Sequence, residues 1–585
     1  MTRPSSPTPT LVGGIQIGRQ ITLDRTPAGL ISSSLAPQPN APSSPLPNPY
    51  AGKGTAESPF LVDWLPEEPA NPYNWKSSYK WFVTAVVAIS TLCIAFSSSS
   101  YSSAVQDILR TFPGTNLEEG IAGLSLYVLG FGVGPLLWAP VSEIWGRNVA
   151  FAASFPLFVI WNMAGALAGN IQSVLVFRFL AGTFGSAPLV TAGGQIGDIW
   201  APHERALAAS LFALAPFLGP VLGPIVGGFV VEGKGWRWVF WVNMMFAGVM
   251  LILTLIFVPE TYAPTLLRRK ALKLQSEADA SGTGEVFMSK YDVGRKPKAE
   301  IVKVGLARPF AMLYSELIVF ALGLYAAIVY GTLYLFFTAF PIVFQQGRGW
   351  SLSHSGLAFL GIGVGLLLGN LLNPLGQIYY NNAVKKHGAG NVPPEARLPM
   401  MCLGSILLPI GLFWFAWTSQ PSVHWIVPIL ASVPFGAGFL LIFTSINLYL
   451  IDSYSVFAAS ALASNAVMRS VFGTVFPLFS THLYRNLGLN WAGTLIAFLS
   501  LACTPMPFLF MRYGSYLRRN SNRHINGVSI PSRPFAREGD RTSHMLVHAH
   551  GHRVKDEDES SGQAGLCAVR GRISSDGGVG GDAAG

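Results

Sequence analysis

Two arginines and one glycine–proline run stand out as residues able to do chemistry in this chain. Arg178, within Arg178-Phe179-Leu180-Ala181-Gly182-Thr183-Phe184-Gly185, and Arg469, beside Ser470, both lie inside apolar stretches. A guanidinium held in hydrocarbon costs at least about 3 kcal/mol on insertion scales. Arg178 must therefore face a protein interior and find an acceptor, or snorkel to the outer interface. For Arg469 the partner is an anionic substrate, a carbonyl at a broken helix, or an ordinary inter-helix hydrogen bond. The run Gly219-Pro220-Val221-Leu222-Gly223-Pro224-Ile225-Val226-Gly227-Gly228 places Gly219, Gly223 and Gly227 at i, i+4 and i+8. That spacing defines one helical face without side chains, where another helix can approach closely. Pro220 and Pro224 remove backbone donors and bend the helix. In Pro140-Val141-Ser142-Glu143-Ile144-Trp145-Gly146-Arg147, the charges of Glu143 and Arg147 flank a turn glycine, Gly146. They either pair across a gate and hold one conformation, or serve only to orient the chain.

Tyr330, Tyr334 and Phe337 share a face by i, i+4, i+7 spacing. Such a face lines a cavity for flat amphiphiles, or it is simple packing. With Arg469 and Asn447 it forms the candidate substrate cavity. Asn162, Gln195, Asn243, Asn370, Asn373 and Asn465 read mostly as inter-helix hydrogen bonders. A proton carrier needs a carboxylate, and an apolar site raises a carboxylate's pKa into a useful range. The candidates lie near helix ends: Asp107, Glu118, Asp198 and Glu316. Asp107 is the expected carrier, next to Arg178. No metal or cofactor site is expected. Cys93, Cys402, Cys503 and Cys567 are scattered, and His544, His548, His550 and His552 read as a solvated tail.

Helices in lipid must position these residues. Half of the 585 residues are hydrophobic and only 12% are charged, against about 25% in soluble domains. Mean hydropathy is +0.42. A membrane-spanning helix takes about 20 apolar residues. Twelve stretches qualify: 81–105, 121–141, 149–168, 172–195, 206–231, 238–258, 316–342, 356–379, 399–418, 424–450, 456–480 and 490–512. An even number puts both termini on one side. The segment 259–315 is rich in lysine and arginine, and Lys385, Lys386, Arg397, Arg512, Arg518 and Arg519 join it on the same side. The opposite loops carry only Arg110, Lys234, Arg237, Arg348 and Arg485. The positive-inside rule makes the termini and central loop cytoplasmic. The net charge of +10 thus reflects topology, not nucleic acid.

The expected fold is an all-α membrane protein with twelve transmembrane helices in two six-helix halves, the plan of the major facilitator fold. Its parts are a disordered tail (1–70), a first bundle (71–258), a basic loop (259–315), a second bundle (316–512) and a disordered tail (513–585). Both tails lack periodic apolar faces. Residues 1–58 have no apolar core of the kind a cleavable signal needs.

Further motifs extend the pattern: Asn71-Pro72-Tyr73-Asn74-Trp75, Gly235-Trp236-Arg237-Trp238-Val239-Phe240-Trp241, Pro259-Glu260-Thr261-Tyr262-Ala263-Pro264, Pro394-Glu395-Ala396-Arg397-Leu398-Pro399 and Tyr449-Leu450-Ile451-Asp452-Ser453-Tyr454. Together these resemble the twelve-spanner fungal drug:proton antiporters of the major facilitator superfamily, over residues 71 to about 512. The Gly219–Gly228 run resembles their antiporter motif, with Ser210 where the longer form has glycine. Arg178 matches an arginine linked to proton coupling, with Ala181 at the motif's glutamine position. Glu143 takes the Asp position of Gly-x-Leu-x-Asp-Arg-x-Gly-Arg. Gly146 and Arg147 match it, while Ala139 and Ile144 depart from it. The resemblance implies proton-driven export of a small amphiphilic molecule, commonly at the plasma membrane. Its partners are substrate, protons and lipid, and it acts as a monomer. The rivals are an uptake symporter or facilitator on the same fold and a non-transporting sensor. A membrane enzyme would need a clustered catalytic set, which the sequence lacks.

Overall fold

The computed structural model describes residues 48–520, except 202–203, 296, 389–391 and 455–456, together with the short strands 524–525 and 528–529. Eleven helices among the described residues are long and apolar enough to cross a membrane. Six form the first half: Ser77–Thr111, Leu117–Trp145, Arg147–Ala166, Ile171–Ile199, Leu207–Lys234 and Arg237–Phe257. The second half holds Leu317–Gln346, Leu352–His387, Pro399–Thr418, Ile426–Tyr454 and the long Ala458–Arg518. This last helix contains two passes. Gly488 is non-helical (φ 72, ψ 167) and divides it into 458–487 and 489–518. Glycine takes that backbone region without a Cβ penalty. The expected twelve stretches thus become twelve spans, called first to twelfth below.

The spans overrun the expected limits. The second ends at Trp145 rather than 141, and the eighth at His387 rather than 379. Hydropathy marks the lipid layer, but a helix runs on until something stops it. Gly146 (φ 110) and Gly388 (φ 82) are those stops. The twelfth likewise continues as Pro505–Asn520, beyond the expected 512.

The segment 259–315 contains two helices, Ala263–Ser281 and Lys298–Ser315. The tail expected to be disordered to residue 70 is packed from residue 48 onward. Strand Phe60–Val62 pairs in parallel with Phe287–Ser289. Val62 is buried with Leu267 and Ala271, flanked by Tyr50, Trp64 and Phe287. Lys270 meets Glu68 and Lys290 meets Asp63, each at 2.6 Å. Burial would raise the Asp63 carboxyl, but hydrogen bonds from Lys290 and the Trp64 N–H hold it below its usual value. A few aromatic and apolar residues suffice here because the linker supplies their partner surface. Residues 1–47 and the C-terminal histidines lie outside the described residues.

Within the first half the first span packs on the fifth, and the second on the fourth. In the second half the seventh packs on the eleventh, and the tenth on the eighth and ninth. The halves meet along the second and eleventh spans and along the fifth and eighth.

Candidate functional site

The first span breaks where its serines cluster. It is helical from Ser77 to Ser100, takes a tight 3-10 turn over Tyr101–Ala104, and resumes at Val105. The Ser98 hydroxyl donates to the Ala95 carbonyl (2.6 Å), and that of Ser99 to Phe96 (3.2 Å). Such back-bonding bends helices. At the break the Tyr101 N–H turns to the Ser99 carbonyl. The carbonyls of Ser97 and Ser98 accept instead from Arg178.

Arg178 comes from the fourth span and is 1% exposed. Its Nη1 donates to Ser97 O and its Nη2 to Ser98 O, each at 2.9 Å, while Nε donates to Gly123 O of the second span at 3.0 Å. The rings of Tyr127 and Tyr101 lie 4.1 and 4.7 Å from the guanidinium carbon. Three carbonyls and two π faces thus replace a counter-ion. Arg178 has no carboxylate partner among the described residues. Asp107, the expected neighbour, accepts from the Trp236 N–H at 2.9 Å and so caps the start of the sixth span.

From this cage a line of hydroxyls crosses to the second half. Ser98 Oγ lies 3.1 Å from Tyr334 Oη, which lies 3.3 Å from Tyr330 Oη. The Tyr330 ring is 5.4 Å from the Arg469 guanidinium, and Phe443 flanks it at the same distance. Asn447 Oδ1 accepts from Asn465 at 3.5 Å. Of the five expected cavity residues, Tyr330, Asn447 and Arg469 are half-buried, whereas Tyr334 and Phe337 are fully buried. Phe337 stacks on Phe359 at 5.4 Å, which is packing. Between Tyr325 and Phe337 only Tyr330 is not buried. It stands between Tyr334, Phe443 and Arg469.

The glycine run works as a contact face in two directions. A Cβ on Gly219 would sit 2.7 Å from Phe96 N, one on Gly223 2.7 Å from Ser100 N, and one on Gly227 2.7 Å from Ser100 O. The fifth span thus lies against the backbone of the first, just at its break. A Cβ on Gly228 instead would meet Leu352 O of the eighth span at 2.9 Å. Pro224 O accepts from the Ser103 hydroxyl at 3.2 Å. Ser210 donates to Asn370 Oδ1 of the eighth span at 2.9 Å, adding a bond between the halves that glycine could not form.

Near the linker, Arg147 does not hydrogen-bond to Glu143. Arg147 Nε lies 3.7 Å from Asp198, and its guanidinium carbon lies 4.7 Å from the Tyr262 ring. Burial raises the Tyr262 phenol. Glu143 is exposed and faces the charges of Arg147 and Arg308. The central anion is one that motif reading left without a role, Glu260. It accepts from the N–H groups of Arg147 (3.0 Å), Asn148 (3.1 Å), Thr261 (3.1 Å) and Tyr262 (3.0 Å). A carboxylate here satisfies the open N–H groups of the third span and favours its dipole. Gly146 leaves room for it, since a Cβ there would strike the Glu260 carboxylate. The second half has a matching arrangement: Arg397 donates to Asp452 at 2.8 Å, and Arg518 pairs with Glu395. Glu260→Ala is expected to cost about 2 kcal/mol of stability, and Glu260→Gln less. Thermal unfolding of the purified protein measures this, and two wild-type melting curves would refute it.

The family model for the Major Facilitator Superfamily matches residues 87–477. The chain is 46% identical over 515 residues to an MFS-type efflux pump of Trichophyton rubrum, covering 88% of this chain and 83% of that protein. It is 50% identical over 473 residues to a major facilitator superfamily multidrug transporter of Aspergillus fumigatus, covering 80% of this chain and 77% of the other. Among solved structures, a partially occluded, inward-open xylose transporter of E. coli aligns at a TM-score of 0.54 and 19% identity. That alignment covers 75% of this chain and 98% of that one, and the likeness is one of fold alone.

Proposed function

We propose that this chain, which belongs to the major facilitator superfamily, exports small amphiphilic molecules across the cell membrane in exchange for protons. Its termini and linker are cytoplasmic, on the strength of their basic charge. Cargo binds between the halves near mid-membrane, and the halves rock around it. Protonation biases the balance of inward and outward states. Relatives named as efflux pumps and multidrug transporters support the direction.

The observation that carries the mechanism is the polar seam between the halves. Ser98 meets Tyr334 at 3.1 Å, Ser210 meets Asn370 at 2.9 Å, and Thr474 donates to Ser125 O at 3.2 Å. Single hydroxyl and amide bonds contribute about 1 kcal/mol each. A rocking motion can exchange them at modest cost. Arg178 ties the first, second and fourth spans together, so they move as one body on their side of the seam. Arg147, Asp198 and Glu260, with Glu143 and Arg308 beside them, form the gate on the linker face.

The test is retention of fluorescein, a fluorescent amphiphilic carboxylate, in yeast lacking its own pumps. Expressing cells should retain less dye than controls, and a protonophore should abolish the difference. Higher retention in expressing cells would turn the reading to uptake. Protonophore-insensitive efflux would remove proton coupling.

A further inference from the structure

We infer that the cargo is an anionic amphiphile whose carboxylate docks on Arg469. This rests on the exporter reading and names the substrate class for the same cavity. Two guanidiniums lie in the middle of spans, and the fold treats them differently. Arg178 spends all three nitrogens on carbonyls. Arg469 makes no hydrogen bond or ion pair among the described residues, and its Nε is buried without a partner. The rings of Tyr330 and Phe443 each lie 5.4 Å from its guanidinium carbon.

No fixed anion is at hand. In the second half the spans carry carboxylates only at their ends among the described residues: Glu316 at the start of the seventh, which accepts from the Tyr454 hydroxyl at 3.0 Å, and Asp452 at the end of the tenth, bonded to Arg397. A half-buried cation inside the membrane without a partner is costly. A counter-charge that arrives with the cargo and leaves with it resolves this, because a permanent one would hold the site closed.

The surroundings suit such a ligand. Asn465 and Arg469 share a face by i, i+4 spacing. Thr444 Oγ1 and Asn465 Oδ1 are also buried without partners, and Asn447 lies beside them. Arg469, Tyr330, Thr444 and Asn447 are all half-buried, and Tyr330 and Thr444 are so within otherwise buried stretches. A guanidinium takes a carboxylate through two parallel N–H bonds. The accessible ring beside Arg469 is that of Tyr330, backed by the buried Phe443 at 6.1 Å, and it offers a flat apolar body its aromatic face. A neutral or cationic analogue would leave Arg469 uncompensated.

The experiment uses the purified full chain in detergent at neutral pH and three probes of one shape: naphthoate, naphthamide and naphthylmethylammonium. Naphthoate should bind about tenfold or more tightly than the amide, as a charge-assisted pair predicts. Arg469→Gln should remove that preference while leaving naphthamide affinity within about twofold. Arg469→Lys should keep part of it. Equal affinity for the three probes, tighter binding of the cation, no saturable naphthoate binding, or an unchanged preference in Arg469→Gln would each overturn the assignment. The probe comparison on the wild-type protein decides the matter even where a variant fails to fold. Dye export without a naphthoate preference would overturn the anion site alone. Loss of both would overturn the exporter reading as well.

Discussion

Replacing Arg178 with methionine is expected to abolish proton-driven flux while leaving the protein folded. The substitution removes three charge-assisted hydrogen bonds to two neighbouring spans. It also removes the cost of burying a cation. Exchanging buried charge for apolar volume is often neutral for stability, so the melting temperature should stay within a few degrees. Function should respond differently. The guanidinium holds the broken turn of the first span by Ser97 O and Ser98 O, and the Ser98 hydroxyl is the link to Tyr334. Without it the turn is free to close into ordinary helix, and the seam loses its register. A fall in flux of about a hundredfold corresponds to about 2.7 kcal/mol. Arg178→Lys should fail nearly as badly, because an ammonium is a point charge and cannot span carbonyls on two helices. Flux into vesicles at equal protein content is the measurement. A methionine variant with wild-type flux would remove Arg178 from the mechanism.

Gly223→Ala should be almost as damaging, for a steric reason. The new Cβ would lie 2.7 Å from Ser100 N and 2.8 Å from Phe96 O, both backbone atoms that cannot rotate away. The first and fifth spans must move apart at the serine break. Overpacking of this kind costs about 1–3 kcal/mol, and flux should drop by about tenfold or more. Gly233→Ala is the control in the same helix. It has no atoms within 4 Å of its Cβ position, and alanine favours helix by about 1 kcal/mol. It should transport normally and melt slightly higher. Gly223→Ala and Gly233→Ala behaving alike would show that the glycine face is not a contact surface.

Much of the frame was legible before any packing was known. Apolar length marked the spans, and the seam at Gly488 divided the one helix that runs through two passes. Spacing alone identified the bare face of Gly219, Gly223 and Gly227, and all three meet the first span. Less legible was the acceptor set of Arg178. A carboxylate such as Asp107 was the natural expectation, yet the acceptors are carbonyls freed by a broken turn. The run of serines from Ser97 to Ser100, with Ser102 and Ser103 beyond, was the available signal, since serine competes for backbone bonds. Glu260 carried no such signal. Its role depends on meeting the N–H groups of residues more than a hundred positions earlier. Residues 48–70 were likewise unreadable alone, because their apolar partners belong to the linker.

The sequence by itself determined that lipid surrounds this chain, how many times it crosses, and that Arg178 and Arg469 need partners. Those follow from solvation, which depends on each residue and its near neighbours along the chain. Only the tertiary structure decided which partner each cation has. Arg178 is satisfied by backbone some 55 to 81 residues away, while Arg469 is left facing rings. Hydrogen bonds act over about 3 Å, so their pairing is set by how distant helices pack.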